Sequence, residues 1–228
     1  RLLGAKASPE KAFEKAIAAD PDFALAHAGE ARALFLQARV PPAKAAALMA
    51  RELAKSLPPR EKNNVEVAVL TVEGGAAKAY QLAREHLRQY PTDAMVLAPC
   101  TGVFGLIGFS GRRGREQEMR ELMEELAPHW GEDSFFLTQL AFALCETGAI
   151  EPARKAIERA MQLDPASGHG AHVKAHVLYE AGEHQVGHKF MQGWLPGYAR
   201  EGLMHCHLSW HLALLQLELG DRDAAMKT

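Results

Sequence analysis

The sequence predicts an all-α protein whose helical hairpins stack into a right-handed superhelical solenoid, and three observations support this fold class. Five prolines recur at intervals of 33 or 37 residues (Pro21, Pro58, Pro91, Pro128, Pro165). Three glycines recur every 37 residues, each 17 residues before one of those prolines (Gly74, Gly111, Gly148). No segment alternates β-branched with polar residues over a useful length, so strands are not expected.

The clearest repeat runs from Gly148 to Pro165. Ala153, Ile157 and Ala160 recur at the spacing i, i+4, i+7 and therefore share one helical face. Gly148 provides the turn with positive φ that joins two helices, and Pro165 ends the second helix because it lacks an N–H. A turn glycine, alanines at fixed offsets and a final proline resemble the tetratricopeptide repeat.

We therefore expect alternating A and B helices in about six units of 34 to 37 residues, which form one domain over 1–228. The A helices are predicted at 22–38, 59–73, 93–109, 132–147, 167–181 and 203–219. The B helices are predicted at 8–20, 41–57, 75–90, 112–127, 149–163 and 183–195. Because the chain starts without Met and stops soon after a helix begins, we expect it to be incomplete at both ends.

Composition excludes several classes of protein. The 26 basic and 28 acidic residues give a net charge of −2, which argues against a nucleic-acid binder. No apolar run reaches the roughly 18 residues that a transmembrane helix needs. Three scattered cysteines without a CxxC motif predict a reducing, cytoplasmic location. The expected partner is a protein, a peptide or a small polar ligand.

The A helices of such a solenoid line its concave surface, and their inner positions lie ten and six residues before each turn glycine. Gly182 places His172 and His176 there, and the corresponding part of the last A helix holds three aromatic or imidazole side chains (His207, Trp210, His211). Gly148 places Phe142 at the matching position of the preceding A helix, and we expect Phe142 and Trp210 to form the floor of the groove. Trp210 is interpreted either as core or as a platform for a ligand.

Histidine pairs four residues apart, as in His172/His176 and His207/His211, offer two neutral nitrogens on one helical face. Two such pairs on neighbouring parallel helices predict a site for Zn²⁺, Ni²⁺, Cu²⁺ or Fe²⁺. Glu180, one turn beyond His176, is a candidate ligand, hydrogen-bond acceptor or general base, and Glu146 is a further candidate base. The alternatives are hydrogen-bonded histidines around an organic or peptide ligand, and histidines of the structural core.

Three other features have two interpretations each. His184 and His188 form a second pair at the same spacing, but on an outer B helix. Cys206 is either a soft metal ligand or a buried, inert thiol. The glycines of the predicted helix 93–109 provide either close backbone packing or room for a ligand (Gly102, Gly105, Gly108).

The last ninety or so residues resemble the tetratricopeptide repeat protein 38 family. That family shows a histidine pair before a glycine turn, then a histidine–tryptophan–histidine helix and a leucine-rich stretch that ends in Gly-Asp. The matching residues are His172, His176, Glu180, Gly182, His207, Trp210, His211, Gly220 and Asp221. Leu208 and Ser209 depart from the Asn-Trp that the family more often has. The resemblance implies the fold and singles out the histidines, but it implies no reaction.

Two hypotheses of function follow. The first is a binding module that captures a peptide, a protein or a small polar ligand in a histidine-rich groove. The second is a metal-dependent enzyme, such as a hydrolase, that uses the four histidines with Glu180, although the HExxH motif is absent. The last full helix contains the apolar run 212–219, so we also expect residues beyond Thr228 or a second subunit to cover it.

Overall fold

The computed structural model describes residues 1–228, and 74% of them are helical with no strand, which confirms the predicted fold class. Thirteen α-helices follow one another: α1 Pro9–Ala19, α2 Ala24–Leu36, α3 Val40–Leu53, α4 Pro59–Glu73, α5 Ala76–Gln89, α6 Ala94–Leu97, α7 Arg115–Trp130, α8 Ser134–Glu146, α9 Ile150–Leu163, α10 Gly168–Glu180, α11 His184–Trp194, α12 His205–Glu218 and α13 Arg222–Ala225. Four short 3₁₀ helices occur at Ala54–Ser56, Ala98–Cys100, Gly108–Ser110 and Leu195–Gly197. None of the helices combines the length and the hydropathy that a membrane span requires.

The chain forms two compact units. Unit 1 comprises Arg1–Leu2 and Ser8–Trp130, and unit 2 comprises Leu3–Ala7 and Gly131–Thr228. The expectation of a single domain stays a prediction.

Unit 1 packs α2, α3 and α4 around small side chains. Ala31, Ala43 and Ala50 are fully buried, and Val65 and Val69 of α4 pack against the same core. Alanines at these positions allow close approach of the helices, as their spacing in the sequence predicts. In the hairpin between α2 and α3 the residue with positive φ is Ala38, at 58°, where later hairpins have glycine.

The predicted helix 93–109 is wrong beyond its first turn. After α6 the chain continues as a 3₁₀ helix and then as turns, with Gly102 at φ 80°. A Cβ atom added at Gly105 would lie 2.2 Å from the carbonyl oxygen of Thr101, and one at Gly108 would lie 2.4 Å from that of Gly102. Gly105 and Gly108 therefore serve close packing of backbone on backbone, and the positive φ of Gly102 interrupts the helix.

Pro128 also departs from the expected pattern. It lies inside the last turn of α7, which continues to Trp130, whereas Pro58 precedes α4 and Pro165 follows α9. A proline in a last turn removes one intrahelical hydrogen bond and leaves the earlier turns intact, so it does not have to end the helix.

Unit 2 holds α8 to α13 and takes residues from the start of the chain. The backbone N–H of Gly168 donates to the carbonyl oxygen of Gly4 at 2.8 Å, and the Tyr198 hydroxyl donates to the carbonyl oxygen of Ala5. At the start of α10 the hydroxyl of Ser167 accepts a hydrogen bond from the N–H of Gly170 at 3.0 Å, as helix caps do. These contacts fix the position of α10.

Helix α12 packs its apolar side within unit 2. Leu208 and Leu215 are buried against α10 and α11, together with Ala171, Ala175 and Met191. Leu217 and Leu219 of the same apolar run are exposed, at 51% and 39%. That another segment or subunit covers this helix stays a prediction.

Candidate functional site

Four histidines of unit 2 meet at one place, and we call them the histidine cluster (His172, His176, His207, His211). The first two lie one turn apart on α10, and the other two lie one turn apart on α12. One ring nitrogen from each comes within 4.8 Å of the other three. The i, i+4 spacing puts each pair on one helical face, and the packing of the two helices brings the faces together.

The distances within the histidine cluster are those of direct nitrogen–nitrogen contact. The Nε2 atom of His172 lies 3.0 Å from that of His176 and 2.9 Å from that of His207. The Nε2 atom of His211 lies 3.2 Å from that of His207. The four ring nitrogens therefore surround a space only a few ångströms across.

Hydrogen bonds alone cannot satisfy these contacts. Each Nε2 atom of a neutral imidazole carries either one proton or one lone pair, and either one points in a single direction. The Nε2 atom of His172 faces two other nitrogens, so it makes at most one well-aligned hydrogen bond. His207 is in the same position, since its Nε2 atom faces both His172 and His211. A single cation among the four lone pairs would satisfy all of them.

Burial keeps these imidazoles neutral. It lowers the pKa of His172 well below its usual 6.5, lowers that of His176 to about 4 and that of His211 to about 3, and also lowers that of His207. Repulsion between neighbouring imidazolium charges adds to the shift at the first three. All four lone pairs are therefore available at neutral pH, as metal coordination requires.

The histidine cluster has an apolar inner side and an open outer side. Phe142 is buried, and its ring centroid lies 5.6 Å from that of His176 and 6.1 Å from that of His172, so an apolar ring lies against the two histidines of α10. Trp210 is 52% exposed and stacks on His207 at 5.4 Å, which makes its interpretation as core wrong. His207 is the least enclosed of the four histidines.

Of the two candidate carboxylates, Glu146 lies beside the histidine cluster and Glu180 does not. Glu180 is exposed at the end of α10 and does not join the group of potential ligand atoms. Glu146, at the end of α8, places its Oε1 atom 3.9 Å from Nδ1 of His176. The sequence shows both carboxylates near a turn, but only the packing of α8 against α10 distinguishes them.

Other candidate residues lie apart from the histidine cluster. His184 contacts the ring of Tyr179 and places Nδ1 3.8 Å from Oε2 of Glu218, and neither His184 nor His188 joins the potential ligands. Cys206 is exposed rather than buried, and its sulfur is also outside the group.

Comparison with known proteins identifies the fold. No protein-family model matches the chain. A solved structure from a functional characterization of Pseudomonas aeruginosa pilF is similar over 90% of this chain and 87% of that chain, with 17% identity and a TM-score of 0.58. A chain from the structure of Naa15/Naa10 bound to HypK-THB matches more weakly, with 15% identity and a TM-score of 0.39 over 96% of this chain and 32% of that one.

The first of these likenesses shows a helical-repeat fold of the tetratricopeptide type. At 17% identity it shows the fold alone. The more specific resemblance to the tetratricopeptide repeat protein 38 family stays a prediction.

Proposed function

We propose that this chain is a helical-repeat binding module and that its histidine cluster binds one divalent transition-metal ion. The observation that carries the proposal is the convergence of four imidazole Nε2 atoms from two helices, with adjacent atoms 2.9–3.2 Å apart. The repeat fold favours a role in binding, because stacked helical hairpins mostly serve as interaction surfaces.

The spacing of the nitrogens favours an ion over an organic ligand. A regular tetrahedron with metal–nitrogen bonds of about 2.0–2.1 Å has nitrogen–nitrogen edges of about 3.3–3.4 Å. The three shortest contacts need to widen by only a few tenths of an ångström to reach these edges. The remaining nitrogen pairs, up to 4.8 Å apart, would close toward the same edges by rotation of the side chains.

The donor atoms restrict the choice of ion. Four neutral imidazoles suit Zn²⁺, Cu²⁺, Ni²⁺ and Fe²⁺, whereas Mg²⁺ and Ca²⁺ prefer oxygen ligands. No observation favours the metal-dependent hydrolase as an alternative, since Glu180 is exposed and lies outside the group of ligand atoms.

The fold also supports a protein or peptide partner, because helical-repeat proteins bind extended partners on their concave surfaces. We propose such a partner in addition to the metal, with Trp210 as an exposed aromatic contact beside the metal site. The three free cysteines, two of them buried, suit a reducing compartment, and we propose the cytoplasm.

Metal titration tests this proposal. The chain is stripped with a chelator and titrated calorimetrically with Zn²⁺, and elemental analysis gives the bound metal independently. We expect one equivalent in the wild type and none in the variant His176→Ala/His211→Ala. The variant His184→Ala/His188→Ala is the matched control, because it removes another i, i+4 histidine pair of unit 2, and it should bind like the wild type.

Circular dichroism of each variant shows whether the repeat remains folded. A wild type that takes up no metal contradicts the proposal. So does a folded His176→Ala/His211→Ala variant that binds with undiminished affinity, since the site then lies elsewhere. If that variant unfolds, His207→Ala replaces it, because His207 is the least enclosed member of the cluster.

A further inference from the structure

The donor set of the histidine cluster indicates what kind of metal site it is. The potential ligands are four ring nitrogens, and no carboxylate oxygen or thiol sulfur joins them. The Glu146 carboxylate approaches Nδ1 of His176 and not the converging Nε2 atoms. A tetrahedral ion with four protein ligands has no position left for water or substrate, which is typical of structural sites rather than catalytic ones.

The rings of the histidine cluster do not form a square. Five of the six distances between ring centroids of the cluster lie between 4.5 and 5.0 Å. Four rings at the corners of a square would give four short distances and two that are about 1.4 times longer. Five nearly equal distances do not fit the square set that Cu²⁺ and Ni²⁺ favour, and the ring nitrogens of the sixth pair, His176 and His207, also lie within 4.8 Å, so the set can close into the tetrahedron that Zn²⁺ adopts.

The cluster joins two helices that are far apart in sequence. His172 and His207 are 35 residues apart, and α11 and an irregular segment with a 3₁₀ helix at Leu195–Gly197 lie between them. Leu208 and Leu215 of α12 are buried in the apolar core of unit 2. The histidine cluster places polar atoms in the contact between α10 and α12. Buried polar atoms without good partners destabilise such a contact, and a shared cation would reverse this effect.

We propose that the ion is a closed, four-coordinate Zn²⁺ that clamps α12 onto α10 and so stabilises the last helical hairpins of unit 2. This inference rests on the proposed function, because it assigns a role to the ion that the histidine cluster binds. Zinc that links distant segments contributes its binding free energy to folding, since the unfolded chain has no preformed site. The role of the metal is then structural, and a partner would bind to the surface that the metal keeps in place.

Two measurements on the full chain test the clamp. The first is the visible absorption spectrum after substitution with Co²⁺, which is intense for four-coordinate tetrahedral ions and weak when water completes five- or six-fold coordination. We expect the intense spectrum in the wild type and in the control His184→Ala/His188→Ala. We expect a weaker, shifted spectrum in His207→Ala, because the open position then admits water and raises the coordination number.

The second measurement is hydrogen exchange with Zn²⁺ and with chelator. We expect Zn²⁺ to slow exchange in α12 at least about tenfold and to leave α4 of unit 1 unchanged. The melting temperature should rise by about 5–10 °C at a Zn²⁺ excess of about 100 times the dissociation constant.

The outcomes separate this inference from the proposed function. No metal uptake by the wild type contradicts both. Metal uptake with the weak Co²⁺ spectrum, or with unchanged exchange in α12, contradicts the clamp and leaves metal binding intact. Metal uptake with the intense spectrum and with protection of α12 in both the wild type and the control supports the clamp.

Discussion

Acidification of the metal-free protein should destabilise unit 2, because burial in the histidine cluster opposes protonation. The unfolded chain takes up protons at its histidines near pH 6.5, whereas His176 and His211 in the folded protein have pKa values lowered to about 4 and about 3. Between these values the unfolded state binds more protons than the folded state. The free energy of unfolding therefore falls as the pH drops from about 6.5 toward 4.

The magnitude follows from the pKa differences. At pH 5 an unfolded histidine is almost fully protonated, and linkage gives a loss of about 2 kcal/mol for each imidazole that stays neutral in the folded state. The His176 side chain is 22% exposed and His211 is 5% exposed, so solvent and coupling between the two reduce the sum. We expect a combined loss of roughly 2–4 kcal/mol between pH 7 and pH 5, which is large beside a total stability of about 5–15 kcal/mol.

Urea denaturation in the presence of a chelator, at pH 7, 6 and 5, measures this loss. The wild type should lose roughly 2–4 kcal/mol more than His176→Ala/His211→Ala over this range, while His184→Ala/His188→Ala should follow the wild type. Equal losses in the wild type and the cluster variant would refute the reasoning. The titrating groups would then lie outside the histidine cluster, and its burial would not oppose protonation.

Three further substitutions have defined expectations. His207→Ala should weaken Zn²⁺ binding by about 10²–10³-fold in calorimetry. The binding free energy of about 10–16 kcal/mol, shared among four ligands, gives about 2.5–4 kcal/mol for each. Unchanged affinity would show that this imidazole is not a ligand. Ala38→Gly should stabilise the protein by up to about 1 kcal/mol in urea denaturation, since it relieves a positive φ of 58° that disfavours a Cβ atom. Gly29→Ala should destabilise it by about 1–3 kcal/mol, because the new Cβ atom would meet a ring carbon of Phe13 at 2.2 Å; a neutral effect would mean that this ring moves aside freely.

The features that depend on local periodicity can be predicted from the amino-acid sequence. The 37-residue recurrence of glycine and proline predicts helical hairpins, and Gly74, Gly148 and Gly182 have the positive φ that their turns require. Counting back from Gly182 places His172 and His176 on one helical face, because residues four apart always lie on the same side of an α-helix. These predictions need no knowledge of which helices touch.

Which side chains meet depends on the packing of the helices and cannot be predicted from periodicity. The packing places Glu146 rather than Glu180 beside the histidine cluster, exposes Trp210, and makes residues 3–7 part of unit 2. It also replaces the predicted helix 93–109 by close backbone packing. Each of these outcomes depends on the approach of segments distant in sequence, and the 3.6-residue period of a helix specifies its faces but not the neighbours against which they pack.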